Sequence, residues 1–128
     1  MPVCMQRTGR RDHTKLRAFE LTDELVVLVY TVAAGFSERR ALYGVTARMR
    51  RTAISVPSNI AEGCARDSQA DYLDFLYIAF GSLRELHYQI SLSHRLCLLL
   101  NDDLSLVEPA VIEAEKILNG LIQSLRVD

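Results

Sequence analysis

The sequence predicts an all-α fold, an up-down four-helix bundle, and three observations carry that expectation. Apolar residues make up 49% of the 128-residue chain, which holds only three Pro and six Gly. Apolar side chains recur at helical spacing in four separate segments. The links between those segments are short, and no two runs of strand-like alternation flank a tight turn. A chain of 14.4 kDa fits one domain and carries enough apolar side chains to pack a core.

Each element follows from its own pattern. Residues 1–15, with Arg7, Arg10, Arg11, His13 and Lys15, read as a flexible, basic N-terminal arm ahead of a bundle domain over residues 16–128. The first helix is expected from Leu16 to Ala34, on Leu16, Phe19, Val26, Val29 and Ala33, with Gly35 as its stop. Val26 to Tyr30 could pass for a buried strand, but no turn-linked partner strand exists in the sequence.

The second helix is expected from Leu42 to Cys64. Leu42, Val45, Met49, Ala53, Val56 and Ile60 make one buried stripe, and Arg51, Ser55, Ser58 and Glu62 the opposite one. Pro57 inside this pattern removes a backbone donor and leaves the Ala53 carbonyl without its partner, so a kink is expected. Gly63 is expected as the C-terminal cap.

The third helix is expected from Ser68 to Leu100, starting at a capping box of Ser68 and Asp71. Tyr72, Leu76, Ala79, Leu83, Leu86, Ile90, Ser93 and Cys97 keep a 4-3 alternation throughout. Its first half is apolar almost all round, whereas a helix at the corner of a small bundle should show water one polar face. A second buried contact is therefore expected, through Tyr72, Phe75, Tyr77 and Phe80, with another subunit. The fourth helix follows Asn101-Asp102-Asp103 and reaches Leu125, on Val107, Val111, Ala114, Leu118, Leu121 and Leu125. Ser105, Glu108 and Pro109 look like its start.

The net charge of −1 hides an imbalance. Residues 1–66 hold eleven Lys/Arg against six Asp/Glu, and residues 67–128 hold four against ten. Such a split suits either a surface facing a polyanion or packing between self-complementary copies. Several function classes are disfavoured. No apolar run approaches the ~20 residues that span a bilayer, and no apolar segment follows the early Arg residues as a signal peptide requires. Cys4, Cys64 and Cys97 have no metal-ligand spacing, which points to a reducing cytoplasm. Metal and cofactor sites are not expected: no Glu-x-x-His occurs, His87 and His94 lie two turns apart, and no Gly-rich phosphate loop exists. Without a nucleophile–base pair or a carboxylate constellation, an enzyme is not expected.

The stretch Tyr43-Gly44-Val45, then Arg50-Arg51, then Ser55-Val56-Pro57-Ser58-Asn59-Ile60-Ala61-Glu62-Gly63 resembles the bacterial four-helix-bundle family named after proteins encoded in 23S rRNA intervening sequences. The accessory proteins of diversity-generating retroelements look like relatives of that family. Phe75 to Leu86 is similar to the family's third-helix signature, and the resemblance spans Leu16 to Leu100. Two positions depart from the pattern: Arg48 stands where the family often has Gln, and Ala41 where it often has Glu. The resemblance implies a compact bundle assembled as a five-fold ring, and no enzymatic activity.

Together these readings give a non-enzymatic, cytoplasmic homopentamer acting as a scaffold or partner-binding protein. In that reading Ser55, Pro57, Ser58, Asn59, Glu62 and Gly63 serve structure or assembly, with Glu62 paired to an Arg of another helix or subunit. The alternative is an RNA- or DNA-binding accessory protein, using Arg7, Arg10 and Arg11 of the arm with Arg48, Arg50 and Arg51.

Overall fold

The computed structural model describes residues 11–36 and 40–126, the side chains of 40–43 excepted. After a 3-10 turn at His13–Lys15 come α1 (Arg17–Ala33), α2 (Arg40–Cys64), α3 (Gln69–Arg95) and α4 (Asn101–Leu125). No strand occurs among the described residues. The chain is all-helical with four helices, as the periodicity predicts.

Neighbouring helices run antiparallel. Tyr30 meets Arg50 across α1–α2, Met49 meets Ser93 across α2–α3, and Gln69 at the start of α3 donates to the carbonyl of Leu125 at the end of α4. Helix α1 also packs against α4, which closes the four helices into a square. The core is the set of inward stripes: Leu25 and Val29; Met49, Ala53, Val56 and Ile60; Leu76, Ala79, Leu83, Leu86 and Ile90; Val107, Val111, Ala114 and Leu118. Burial of each large side chain in this set stabilises the fold by about 1.5–3 kcal/mol.

Several boundaries differ from the expectation for local reasons. Helix α3 stops at Arg95 rather than Leu100 because Cys97 takes a left-handed conformation, φ 63°. The Leu98 N–H then bonds back to the Ser93 carbonyl at 2.9 Å and the Cys97 N–H to the His94 carbonyl at 3.0 Å. That is a Schellman cap formed without glycine, and it tucks Leu98 and Leu99 into the core. The thiol of Cys97, which heptad spacing placed in line with the core, is exposed as a result.

Helix α4 starts at Asn101, a full turn before Ser105, and places Asp102 and Asp103 in its first turn, where the macrodipole favours carboxylates. Pro109, expected at the helix start, lies inside α4. Helix α2 likewise runs through Pro57 to Cys64. Gly63 lies within α2 instead of capping it, and its role is contact: a Cβ there would meet Phe75 Cβ at 2.8 Å and the Tyr72 carbonyl at 3.3 Å. The Ser68 half of the expected capping box is present, its hydroxyl accepting from the Asp71 N–H at 3.1 Å.

Residues 1–10 of the expected arm lie outside the described residues. Residues 11–15 are placed against the bundle: Asp12 caps the 3-10 turn, and the His13 ring meets Phe19 edge-on at 4.6 Å.

Candidate functional site

The outward face of α2 carries the motif read from the sequence. Arg51 and Ser58 are exposed, and Ser55 and Asn59 are half-buried. Pro57 and Gly63 are buried, turned toward the neighbouring helices. The polar groups are largely tied to their own helix. The Ser55 hydroxyl donates to the Thr52 carbonyl at 2.7 Å, and the Asn59 side-chain amide to the Ser55 carbonyl at 2.7 Å. Neither of these reaches the Ala53 carbonyl that Pro57 deprives of its donor. Glu62 pairs with Arg66 four residues on, at 3.0 Å, and among the described residues not with an Arg of another helix.

The Arg residues proposed for nucleic acid are dispersed, and most are engaged. Arg11 donates to the Arg66 carbonyl at 3.0 Å and lies over the Tyr72 ring at 4.0 Å. Arg50 donates to the Tyr30 carbonyl at 3.1 Å and lies over the Tyr30 ring at 4.7 Å. Arg48 pairs with Glu85 of α3 at 3.4 Å, beside Arg51 in a shallow groove with Ser55. That ion pair joins the basic first half of the chain to its acidic second half. Arg7 and Arg10 lie outside the described residues.

The four side chains expected at a subunit interface separate. Tyr72 is only 2% exposed and belongs to the core of its own bundle, so it is not an outward contact. Its ring is covered by Arg11, and its hydroxyl lies beside the Cys64 thiol. Burial, reinforced by Cys64, pushes the Tyr72 hydroxyl up to about 12, and burial also pushes the Cys64 thiol up. Phe75 is half-buried under Arg66, whose guanidinium carbon lies 4.6 Å from the ring centre. Phe80 is half-buried beside Ile112. Tyr77 alone of the four is well exposed, at 45%, next to Ile78 at 52%.

Two polar seams escaped the sequence reading. Between α2 and α3, the Gln89 amide donates to the Thr52 hydroxyl at 3.1 Å and to Glu85 at 3.0 Å, while its own buried oxygen has no partner. Between α3 and α4, Glu115 accepts from Arg84 at 3.1 Å and from His87 Nδ1 at 2.9 Å. A carboxylate can only accept, so His87 Nδ1 carries the proton in that contact. Glu108 lies 3.9 Å from the other ring nitrogen. The pattern was present in the spacing: Glu108 and Glu115 are seven apart, and Arg84 and His87 three apart, each pair along the flank of a core stripe.

Among the described residues, no three His, Cys, Asp or Glu gather where they could hold a metal ion. No described helix is long and apolar enough to cross a membrane. No curated protein matches the chain. The sequence model of one family, described as 23S rRNA-intervening sequence protein, matches residues 14–120, and the chain belongs to that family.

Proposed function

We propose that this member of the 23S rRNA-intervening sequence protein family is a non-enzymatic homo-oligomer that acts as a scaffold or partner-binding protein. The copies form a ring, of five as the sequence resemblance implies. One observation carries the reading. Helix α3 fills its inward stripe completely, yet it also holds Tyr77, Ile78 and Tyr88 at 45%, 52% and 58% exposure on its outward side. A core already packed from within gains nothing from those side chains, whereas a contact with another copy does. The work is placed in the cytoplasm, where the free thiols of Cys64 and Cys97 stay reduced. Light scattering on the full chain at micromolar concentration tests this, with a stable oligomer expected. A species of 14.4 kDa overturns the reading.

The alternative, a nucleic-acid accessory protein, has weaker support. Arg11, Arg48 and Arg50 are each held by groups of their own chain, which leaves Arg51 of the four described candidates. Phosphate contacts would give binding that falls steeply with salt. Retention of structured RNA on a filter at low salt, lost in Arg51→Ala and at raised salt, is the result that would favour it.

A further inference from the structure

The chain ahead of α1 lies across the end of the bundle where α2 gives way to α3, and Arg11 ties it there. Its guanidinium donates to the Arg66 carbonyl, in the turn after α2, at 3.0 Å and lies over the Tyr72 ring of α3 at 4.0 Å. The His13 ring meets Phe19 of α1 edge-on at 4.6 Å, and Leu16 packs against the core. Arg11, His13 and Leu16 are half-buried, whereas Asp12, Thr14 and Lys15 are exposed.

The residues next to Arg11 are far better enclosed. Cys64, the last residue of α2, is 1% exposed and Tyr72 2%. The carbonyl that Arg11 holds lies two residues beyond Cys64, and the thiol is close enough to Arg11 and Asp12 to feel both charges. A well-buried thiol thus stands at one end of the bundle beside a segment whose 3-10 turn buries none of its residues. Segments with few buried contacts open at a fraction of the free energy that unfolds a core.

We propose that residues 11–16 form a strap, latched by Arg11, that opens while the four helices stay packed and gates the access of thiol-reactive molecules to Cys64. Two observations meet in this assignment. The latch grips Arg66 and Tyr72, the first next to Cys64 along the chain and the second beside its thiol, so release uncovers that corner. The grip itself is one hydrogen bond and one ring contact, which together are weaker than the packing of the helices. Closed, the strap keeps solutes from the thiol. Open, it leaves the Tyr72 ring and the thiol to solvent. Cys97, at the far end of α3, is exposed and has no such cover.

Timed alkylation of the full-length chain by iodoacetamide, read site by site by peptide mass spectrometry, tests the strap. Cys97 is the exposed reference. Cys64 should react much more slowly than Cys97, yet faster than global unfolding allows, at a rate that barely changes in low urea. Arg11→Ala should speed Cys64 about tenfold, with the Cys97 rate and the melting temperature unchanged. His13→Ala should speed it about threefold. Lys15→Ala, at an exposed position of the same strap, should leave it as it is. The sign separates gating from charge, because Arg11 favours the thiolate and loss of its charge alone would slow the reaction. A Cys64 rate that is unchanged or slower in Arg11→Ala overturns the strap. So does a rate that changes only in step with global unfolding, or a wild-type Cys64 that reacts as fast as Cys97.

Discussion

Helix α3 meets α2 on one side and α4 on the other, and the two seams are built by different means. Toward α2 the approach is close because the side chains are small, and the one ion pair of this seam among the described residues, Arg48 with Glu85, sits at the exposed rim. Gly63 leaves no room for a Cβ against Phe75, and Ala53, Ala79 and Ser93 are almost fully buried. Toward α4 the partners are longer and charged, with Glu115 gathering Arg84 and His87 at the rim. A seam closed by shape tolerates no added volume, whereas a seam closed by ions tolerates volume and responds to salt. One helix thus carries two contacts with different sensitivities.

The largest expected effect comes from forcing the first seam apart. Gly63→Leu places a side chain where even a Cβ meets Phe75 and the Tyr72 backbone, and should cost about 3 kcal/mol. Thermal melting should then begin on the order of 10 °C lower. An unchanged melt would mean that α2 and α3 do not approach as closely as described.

Alkaline pH reaches the same seam through Tyr72. Its hydroxyl is pushed up to about 12 from an ordinary value of 10.0, so the folded chain holds this proton more tightly than the unfolded chain. The stability it contributes is complete below pH 10 and is lost as pH rises through about 12, a change of about 2 kcal/mol. Denaturant unfolding at both ends of that window measures the loss, and Tyr72→Phe should lack this component.

Breaking the second seam should do less. Glu115→Ala removes the acceptor of Arg84 and His87 and should cost about 1 kcal/mol, with the difference from wild type shrinking in high salt. A loss as large as that of Gly63→Leu would erase the contrast between the seams.

The smallest effect is expected at Gln89, the one amide inside the close-packed seam. Its oxygen is buried without a partner, so Gln89→Leu exchanges two hydrogen bonds for relief of that penalty. Stability should move by no more than about 0.5 kcal/mol, read from the denaturant midpoint. A cost several times larger would show that polar contacts also hold the α2 side.

The helices themselves were legible because each has a long stripe of apolar residues at one period. Met49, Ala53, Val56 and Ile60 on α2, and Leu76, Ala79, Leu83, Leu86 and Ile90 on α3, are buried as that period requires. What periodicity could not show was where a stripe ends. Cys97 continues the 4-3 spacing but adopts a left-handed backbone that only its surroundings select. Nor could spacing separate Tyr72 from Tyr77. Both lie in the same apolar run, and only the packing of α2 and the reach of Arg11 bring the first inside and leave the second in water.

The sequence by itself determined the all-helical class, the number of helices, their inward faces and the family, since each depends on local pattern or on one contiguous motif. The tertiary structure alone decided which polar groups meet. Glu115 with Arg84 and Gln89 with Thr52 are joined across different helices, and Arg11, ahead of the first turn, meets Tyr72 of α3. It also set which stripes become outward neighbours, because that depends on the order in which the helices close the square. A side chain's distance from a partner thirty or sixty residues away is set by that packing, and no local spacing encodes it.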